Sequence, residues 1–184
     1  MLLDRIENYE IFRPKCDPGK EVLHSIATFE ADISPVFPYL NAELGGWDYD
    51  QRNQVVLLKL SAGKWITLQP FEIAIRGARD QEESLALLAW IKGQLNDIYG
   101  RRGEITPRYT SQAGLKVLEI LKLLPRTNCR ACGYATCMAF AAALREGEIS
   151  LHDCPFPQEE TPRERRQQLQ AYLESFGWRA LDGD

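Results

Sequence analysis

The spacing of four cysteines constrains the fold of this chain more than any other feature of its sequence. Cys129, Cys132, Cys137 and Cys154 form the pattern C-x2-C-x4-C-x16-C, and a proline follows the last one. Two cysteines separated by two residues can bind one metal centre from a single tight loop, in iron–sulfur and in zinc sites alike. The chain between the third and the fourth cysteine is therefore predicted to fold back, so that all four thiolates share one site.

The cellular compartment decides how clustered cysteines are interpreted. No apolar run approaches the ~20 residues that span a bilayer, and residues 1–5 do not resemble a signal peptide. We therefore expect a cytoplasmic protein without a membrane segment, in which clustered cysteines indicate metal binding or redox chemistry rather than disulfides. The net charge of −4 argues against nucleic-acid binding. Arg163, Arg165 and Arg166 alternate with glutamates and are expected to form a solvated helix face.

The residues around the cysteines fit a tight metal-binding loop followed by a helix. Gly133 suits a left-handed turn, or a close approach to inorganic sulfide where a side chain would collide. Residues 136–145 are strong helix formers, so Cys137 is expected in the first helical turn, where free N–H groups favour thiolate charge. Phe140 and Leu144 share the helix face of Cys137 and are predicted to form a dry wall beside the metal.

The cysteine spacing favours one kind of metal centre but does not determine it. Structural zinc sites favour two short Cys or His pairs, each on its own loop. Here three cysteines lie close together and the fourth stands alone before a proline, as in ferredoxin cysteine runs, although the spacing differs from theirs. The pattern favours an iron–sulfur cluster, with zinc as the main alternative and reduced, metal-free thiols as the third.

The N-terminal part of the chain is predicted to be an α+β unit. Residues 55–60 and 65–68 suit a β-hairpin, and residues 71–76 alternate as a strand with one buried face. A capping box at Asp80 starts a helix with one apolar stripe that ends at Gly100. This helix is expected to cover one face of a small antiparallel sheet. Its predicted core includes three tryptophans: Trp47, Trp65 and Trp90.

An earlier segment carries conflicting signals. Apolar residues recur at helical spacing from Ile26 to Leu40, but Pro35 and Pro38 interrupt the pattern. Proline inside a helix removes a backbone donor and clashes with the preceding turn. We therefore expect a helix broken into short turns around residues 34–41, ended by the glycines that follow.

A polar stretch at residues 101–113 is the best candidate for a domain boundary. An apolar helix is predicted over 115–124, and a last helix runs from an N-cap at Thr161 to about Phe176. The predicted organisation has three parts: an α+β domain at 1–105 that binds a partner, a mostly helical [4Fe-4S] cluster domain at 106–158, and a C-terminal helix at 159–184.

The cysteine region also resembles a known domain. The stretch Thr127–Cys137, the helix Phe140–Leu144 and the pair Cys154-Pro155 are similar to a four-cysteine [4Fe-4S] domain of anaerobic redox proteins. That domain occurs in the large subunit of the corrinoid iron–sulfur protein and in the B subunit of the Rnf electron-transport complex. The resemblance covers about residues 115–157. It implies that one [4Fe-4S] cluster is bound by four ligands: Cys129, Cys132, Cys137 and Cys154.

The rest of the chain departs from these proteins. We expect neither the barrel domain of the corrinoid protein nor the membrane segment and further ferredoxin cysteines of the Rnf subunit. Residues 27–42 are similar to stand-alone Fe–S-binding proteins. No catalytic triad, phosphate-binding loop or dinucleotide fingerprint is found. The expected function is low-potential one-electron transfer, without catalysis, to a corrinoid protein or another metalloenzyme. An accessory, maturation or redox-sensing protein is the alternative, and a zinc-bound interaction module is a third.

The roles of four other residues also need to be considered beside the four-cysteine set. Cys16 is expected to be a free thiol, because the ligand set is complete without it. Arg126 and Arg130 flank the first ligand and either tune the potential, bind an acidic partner, or simply lie on the surface. His152 is expected to be a solvated loop residue, with a hydrogen bond to a sulfur as the alternative.

Overall fold

The computed structural model describes residues 1–14, 22–155 and 160–178, and it divides into two units, Met1–Tyr109 and Thr110–Asp184. The described residues of the first unit contain six strands: β1 Asn8–Phe12, β2 Leu23–Thr28, β3 Asp48–Asp50, β4 Val55–Lys59, β5 Trp65–Gln69 and β6 Glu72–Ala78. The helices are α1 Phe37–Leu44 and α2 Gln81–Arg101 in the first unit, and α3 Val117–Leu123, α4 Cys137–Glu146 and α5 Glu160–Ser175 in the second. This arrangement confirms an α+β fold.

The six strands form one antiparallel sheet in the order β1-β2-β6-β5-β4-β3. The predicted hairpin is present as β4 and β5, with Leu58 opposite Ile66, and the predicted third strand is β6. The sheet is larger than expected, because it also contains β1, β2 and β3. Their strand conformation comes from pairing with neighbours rather than from local sequence.

The helix α2 covers one face of this sheet, as predicted, and packs against β2 and β6. Asp80 accepts a hydrogen bond from the Glu83 N–H at 2.8 Å and caps the first turn. The apolar residues that follow at helical spacing all lie in the core of the first unit: Leu88, Ile91, Leu95 and Ile98. Helical periodicity therefore predicted both the helix and its buried face.

Several details of the first unit differ from the sequence predictions. Ile26 lies in β2, so the helical spacing that starts there is accidental, whereas residues 34–36 form a 3-10 turn and α1 follows. Helix α2 continues through Gly100 by one residue. The three tryptophans do not belong to the core: Trp90 is 39% exposed, and Trp47 and Trp65 are half-buried. Their large rings lie at the margins, where one edge stays in water.

The second unit is helical and has its own core, in which α3 packs against α4 and α5. Thr136 caps α4 by accepting the Ala139 N–H at 3.1 Å, and Gly147 ends it with φ of 73°. A 3-10 turn at Leu151–Asp153 then returns the chain toward the start of α4. Across the residues that the structure describes, no helix is long and apolar enough to cross a membrane.

Candidate metal centre

The loop before α4 has an unusual backbone that is built around the first cysteine. Arg126, Asn128 and Arg130 adopt positive φ values of 58°, 50° and 62°, while the residues between them keep negative φ. Alternation of this kind turns successive backbone N–H groups toward one side, as in the concave nests that bind anions and Fe–S clusters. Gly133 has φ of 83°, which confirms the left-handed turn predicted there.

Local hydrogen bonds favour the thiolate form of Cys129. The Ala131 N–H and then the Thr127 hydroxyl donate to its sulfur, and together they hold the pKa of Cys129 below its usual value. The side chain is exposed. Because the thiolate is the form that binds metal, the loop prepares this cysteine for coordination.

Asn128 joins this loop to the start of α4. Its Oδ1 atom accepts a hydrogen bond from the Cys137 N–H at 2.8 Å. Cys137 is the first residue of α4, as predicted, and is partly buried. The Gly133 N–H donates to the Arg130 carbonyl at 3.0 Å and closes the turn around Cys132. The first three cysteines are therefore held by one hydrogen-bonded loop and one helix N-terminus.

Cys154 approaches from a different part of the chain. It follows the Leu151–Asp153 turn, whose capping box joins Ser150 and Asp153. Burial, and after it the charges of the other three cysteines, raise the pKa of Cys154 to about 11. A buried thiol of this kind requires a metal or a neighbouring cation to ionise at neutral pH.

All four cysteines line one cavity with a volume of about 280 Å³. Its apolar walls come from both sides of the loop and from the segment after the last cysteine: Leu124, Pro125, Tyr134, Phe140 and Pro155. Phe140 is buried and packs edge-to-face on Tyr134, with ring centroids 5.9 Å apart. The predicted dry wall is thus present at Phe140, whereas Leu144 is buried in the core and does not line the cavity.

The donor set consists of the four thiols that line the cavity, of which Cys154 is buried and Cys129 is exposed. Among the described residues, no group of three or more His, Cys, Asp or Glu side chains has the geometry to hold a single metal ion. Soft sulfur ligands, an apolar lining and backbone N–H donors are the features that hold an iron–sulfur cluster.

The structure also places the residues whose roles the sequence left open. Arg126 and Arg130 are exposed beside Cys129. His152 is exposed, and its Nδ1 accepts a hydrogen bond from the Arg166 guanidinium at 2.8 Å. Cys16 lies outside the described residues. The prediction that the arginine cluster forms a solvated helix face is wrong for Arg166, which is partly buried. Arg163 and Arg165 are exposed, as predicted.

The cysteine region is similar to parts of known proteins. Residues 124–156 match the family model described as "Putative Fe-S cluster". The acetyl-CoA decarbonylase/synthase complex subunit gamma of Methanocaldococcus jannaschii is 51% identical over 41 residues, which is 22% of this chain and 8% of that protein. The corrinoid/iron-sulfur protein large subunit of Moorella thermoacetica is 54% identical over 39 residues, 21% of this chain and 9% of that protein.

A third relative covers more of the chain. An uncharacterized protein of Methanocaldococcus jannaschii is 44% identical over 61 residues, which is 33% of this chain and 27% of that protein. The chain therefore spans less than a third of the length of each of these relatives. No solved structure matches it significantly. The predicted resemblance is confirmed over the cysteine region, and the match of residues 124–156 to an Fe–S cluster family model supports an iron–sulfur cofactor.

Proposed function

We propose that Cys129, Cys132, Cys137 and Cys154 bind one [4Fe-4S] cluster, with one thiolate for each iron. The observation that carries this proposal is the single cavity that all four cysteines line. A tetrahedral zinc ion needs four ligands converging at about 2.3 Å from one point. Cysteines distributed around a cavity of about 280 Å³ suit a polynuclear cluster better.

The protein's own residues would control the chemistry of this centre. A [4Fe-4S] cluster supplies one-electron redox chemistry. Phe140 and Tyr134 exclude water from one wall, and Cys154 is buried. An apolar environment disfavours added negative charge, so these residues favour a low reduction potential. The Cys129 loop offsets this effect with its hydrogen-bond donors.

The exposed edge of the centre supports a role in electron transfer. Residues 126–131 are all exposed, and they include the ligand Cys129. Electrons pass between proteins only over short distances, so a carrier needs such an edge. We infer a non-enzymatic carrier in the cytoplasm that delivers one electron at a time to a partner protein. The relatives named as subunits of the acetyl-CoA decarbonylase/synthase complex and of a corrinoid protein support a corrinoid protein or another low-potential metalloenzyme as that partner.

The same exposure favours one alternative. A ligand thiolate that solvent can reach is open to oxidants and to the thiols of an acceptor protein. A redox sensor or a cluster-delivering maturation protein would use this access. Loss of the cluster to an acceptor apoprotein, without prior electron transfer, would favour the alternative over the carrier.

Anaerobic purification tests the cluster itself. We expect about four irons and about four inorganic sulfides per chain, and an EPR signal after reduction with dithionite. Serine at any one of the four proposed ligands is expected to lower the iron content. Stoichiometric zinc without iron in the anaerobic protein would overturn the proposal.

Charge reversal at the exposed edge tests the carrier role. Arg126→Glu combined with Arg130→Glu is expected to slow oxidation of the reduced protein by an acidic redox partner encoded beside it, mostly at low salt. The matched control reverses Arg5 and Arg52, which are exposed in the first unit. Stopped-flow absorbance measures the rate, and iron content should not change. No oxidation of the wild type on the timescale of turnover would contradict a carrier.

A further inference from the structure

One arginine of helix α5 lies on the buried face of the helix. Arg166 is partly buried, whereas Arg163 and Arg165 on the same helix are exposed. It lies three and seven residues before Leu169 and Leu173, which are 0% and 1% exposed in the core of the second unit. Residues at this spacing share one face of a helix. Arg166 therefore extends the buried stripe of α5 rather than its solvated face.

A hydrogen bond fixes the position of this guanidinium. Arg166 donates to the Nδ1 atom of His152 at 2.8 Å. Because arginine has no acceptor atom, His152 must accept through Nδ1, with its own hydrogen on Nε2. His152 lies in the Leu151–Asp153 turn, which the Ser150 capping box stabilises and which leads directly into Cys154. The contact thus connects α5 to the turn that presents the fourth cysteine.

The charge of Arg166 lies beside the turn that presents this cysteine. Its guanidinium is 2.8 Å from Nδ1 of His152, and His152 lies two residues before Cys154. Arginine stays protonated at every pH at which the protein is folded, so this positive charge is permanent. One electron added to a cluster here would add one negative charge next to it, and a fixed cation stabilises that reduced state.

We propose that Arg166 is a positioning and charge-compensating residue of the metal centre, which raises the reduction potential of the cluster bound by Cys154. The inference rests on the proposed function, because it concerns the same centre. It goes beyond the Fe–S domain, since Arg166 lies outside the matched residues 124–156. Helix α5 accordingly contributes to the redox properties of the centre as well as to the core.

Anaerobic potentiometric titration followed by EPR tests this role, with iron content measured on every variant. Arg166→Gln removes the charge and is expected to shift the one-electron equilibrium about tenfold toward the oxidised state, a decrease of about 59 mV. Arg166→Lys keeps the charge and is expected to retain most of the wild-type potential. The matched control is Arg165→Gln, which removes an exposed charge from the same helix and should leave the potential unchanged.

The variants separate this inference from the proposed function. Wild type without iron would overturn both. Full iron content with an unchanged or higher potential in Arg166→Gln would overturn this inference alone, as would an equal shift in Arg165→Gln or in Arg166→Lys. If Arg166→Gln binds less iron, iron retention in Arg166→Lys supports a role for the charge, and loss of iron from both variants shows a role in packing only.

Discussion

Asn128 gives the sharpest test of how the cysteine loop is held. Its carboxamide accepts the Cys137 N–H at 2.8 Å, and its backbone has φ of 50°. Asparagine tolerates the left-handed region, whereas alanine there costs about 1–2 kcal/mol. Loss of the hydrogen bond from the Cys137 N–H adds about 1 kcal/mol to this cost, because water can partly replace the exposed Asn128 carboxamide as the acceptor. Asn128→Ala should therefore lower the free energy of unfolding of the second unit by about 2–3 kcal/mol.

Asn128→Gly separates the two contributions. Glycine adopts positive φ without steric cost, so this variant loses only the hydrogen bond to Cys137. Its expected destabilisation is about 1 kcal/mol. The wild type is thus expected to be the most stable, Asn128→Gly less stable, and Asn128→Ala the least stable. A loop held by sulfur–metal bonds alone would not distinguish glycine from alanine.

Equilibrium unfolding in urea under anaerobic conditions measures these differences. Circular dichroism reports the helices, and visible absorbance reports the metal centre. Each 1.4 kcal/mol is a factor of ten, so alanine should change the unfolding constant about 30- to 150-fold and glycine about fivefold. If glycine is as destabilising as alanine, backbone strain has no role at this position. Unchanged midpoints for both variants would refute the proposed link between the loop and α4.

Four further predictions concern the cysteines and the cavity wall. Serine at any proposed ligand should remove iron, whereas Cys16→Ser should change neither iron content nor colour; bleaching by Cys16→Ser alone would show that the ligand assignment is wrong. Phe140→Ala should destabilise the second unit by about 3–5 kcal/mol and speed cluster loss to a chelator, because it empties a buried wall of the cavity. In metal-free protein, mass spectrometry should find Cys129 alkylated before Cys154. The raised pKa of Cys154 gives stability that is complete below its unfolded pKa of 9.0 and is lost as pH rises toward about 11, so urea midpoints should fall across that range.

Sequence periodicity predicted the parts of the fold in which local pattern and packing agree. The apolar stripe of α2 and the β4–β5 hairpin have strong signals, and both are present. β1 and β2 contain polar residues such as Asn8, Glu10 and Ser25, and their conformation depends on partners that are distant along the chain. Ser25 is buried because it hydrogen-bonds Ser84 on α2 at 2.7 Å, and an amphipathic pattern cannot anticipate such a pair.

The candidate site was predictable in its chemistry and not in its shape. The cysteine spacing and Gly133 pointed to a metal loop, but nothing in the sequence indicated positive φ at Arg126 and Arg130. Arginine has no preference for that region, so the residue type gives no signal for it. Arg166 was missed for a different reason. Its three- and seven-residue spacing to two buried leucines was a usable signal, but the charged neighbours concealed it.

The second unit has to extend beyond the segment that matches the Fe–S family. Residues 124–156 contain α4, whose buried face includes Phe140 and Leu144. That face packs in one core with Ile120 from α3 and with Leu169 and Leu173 from α5, which lie outside the match on either side. A segment below about 40 residues rarely buries enough apolar surface to fold without a metal or a partner. The flanking helices therefore provide the core that positions the four cysteines, and α5 also provides the charge beside them.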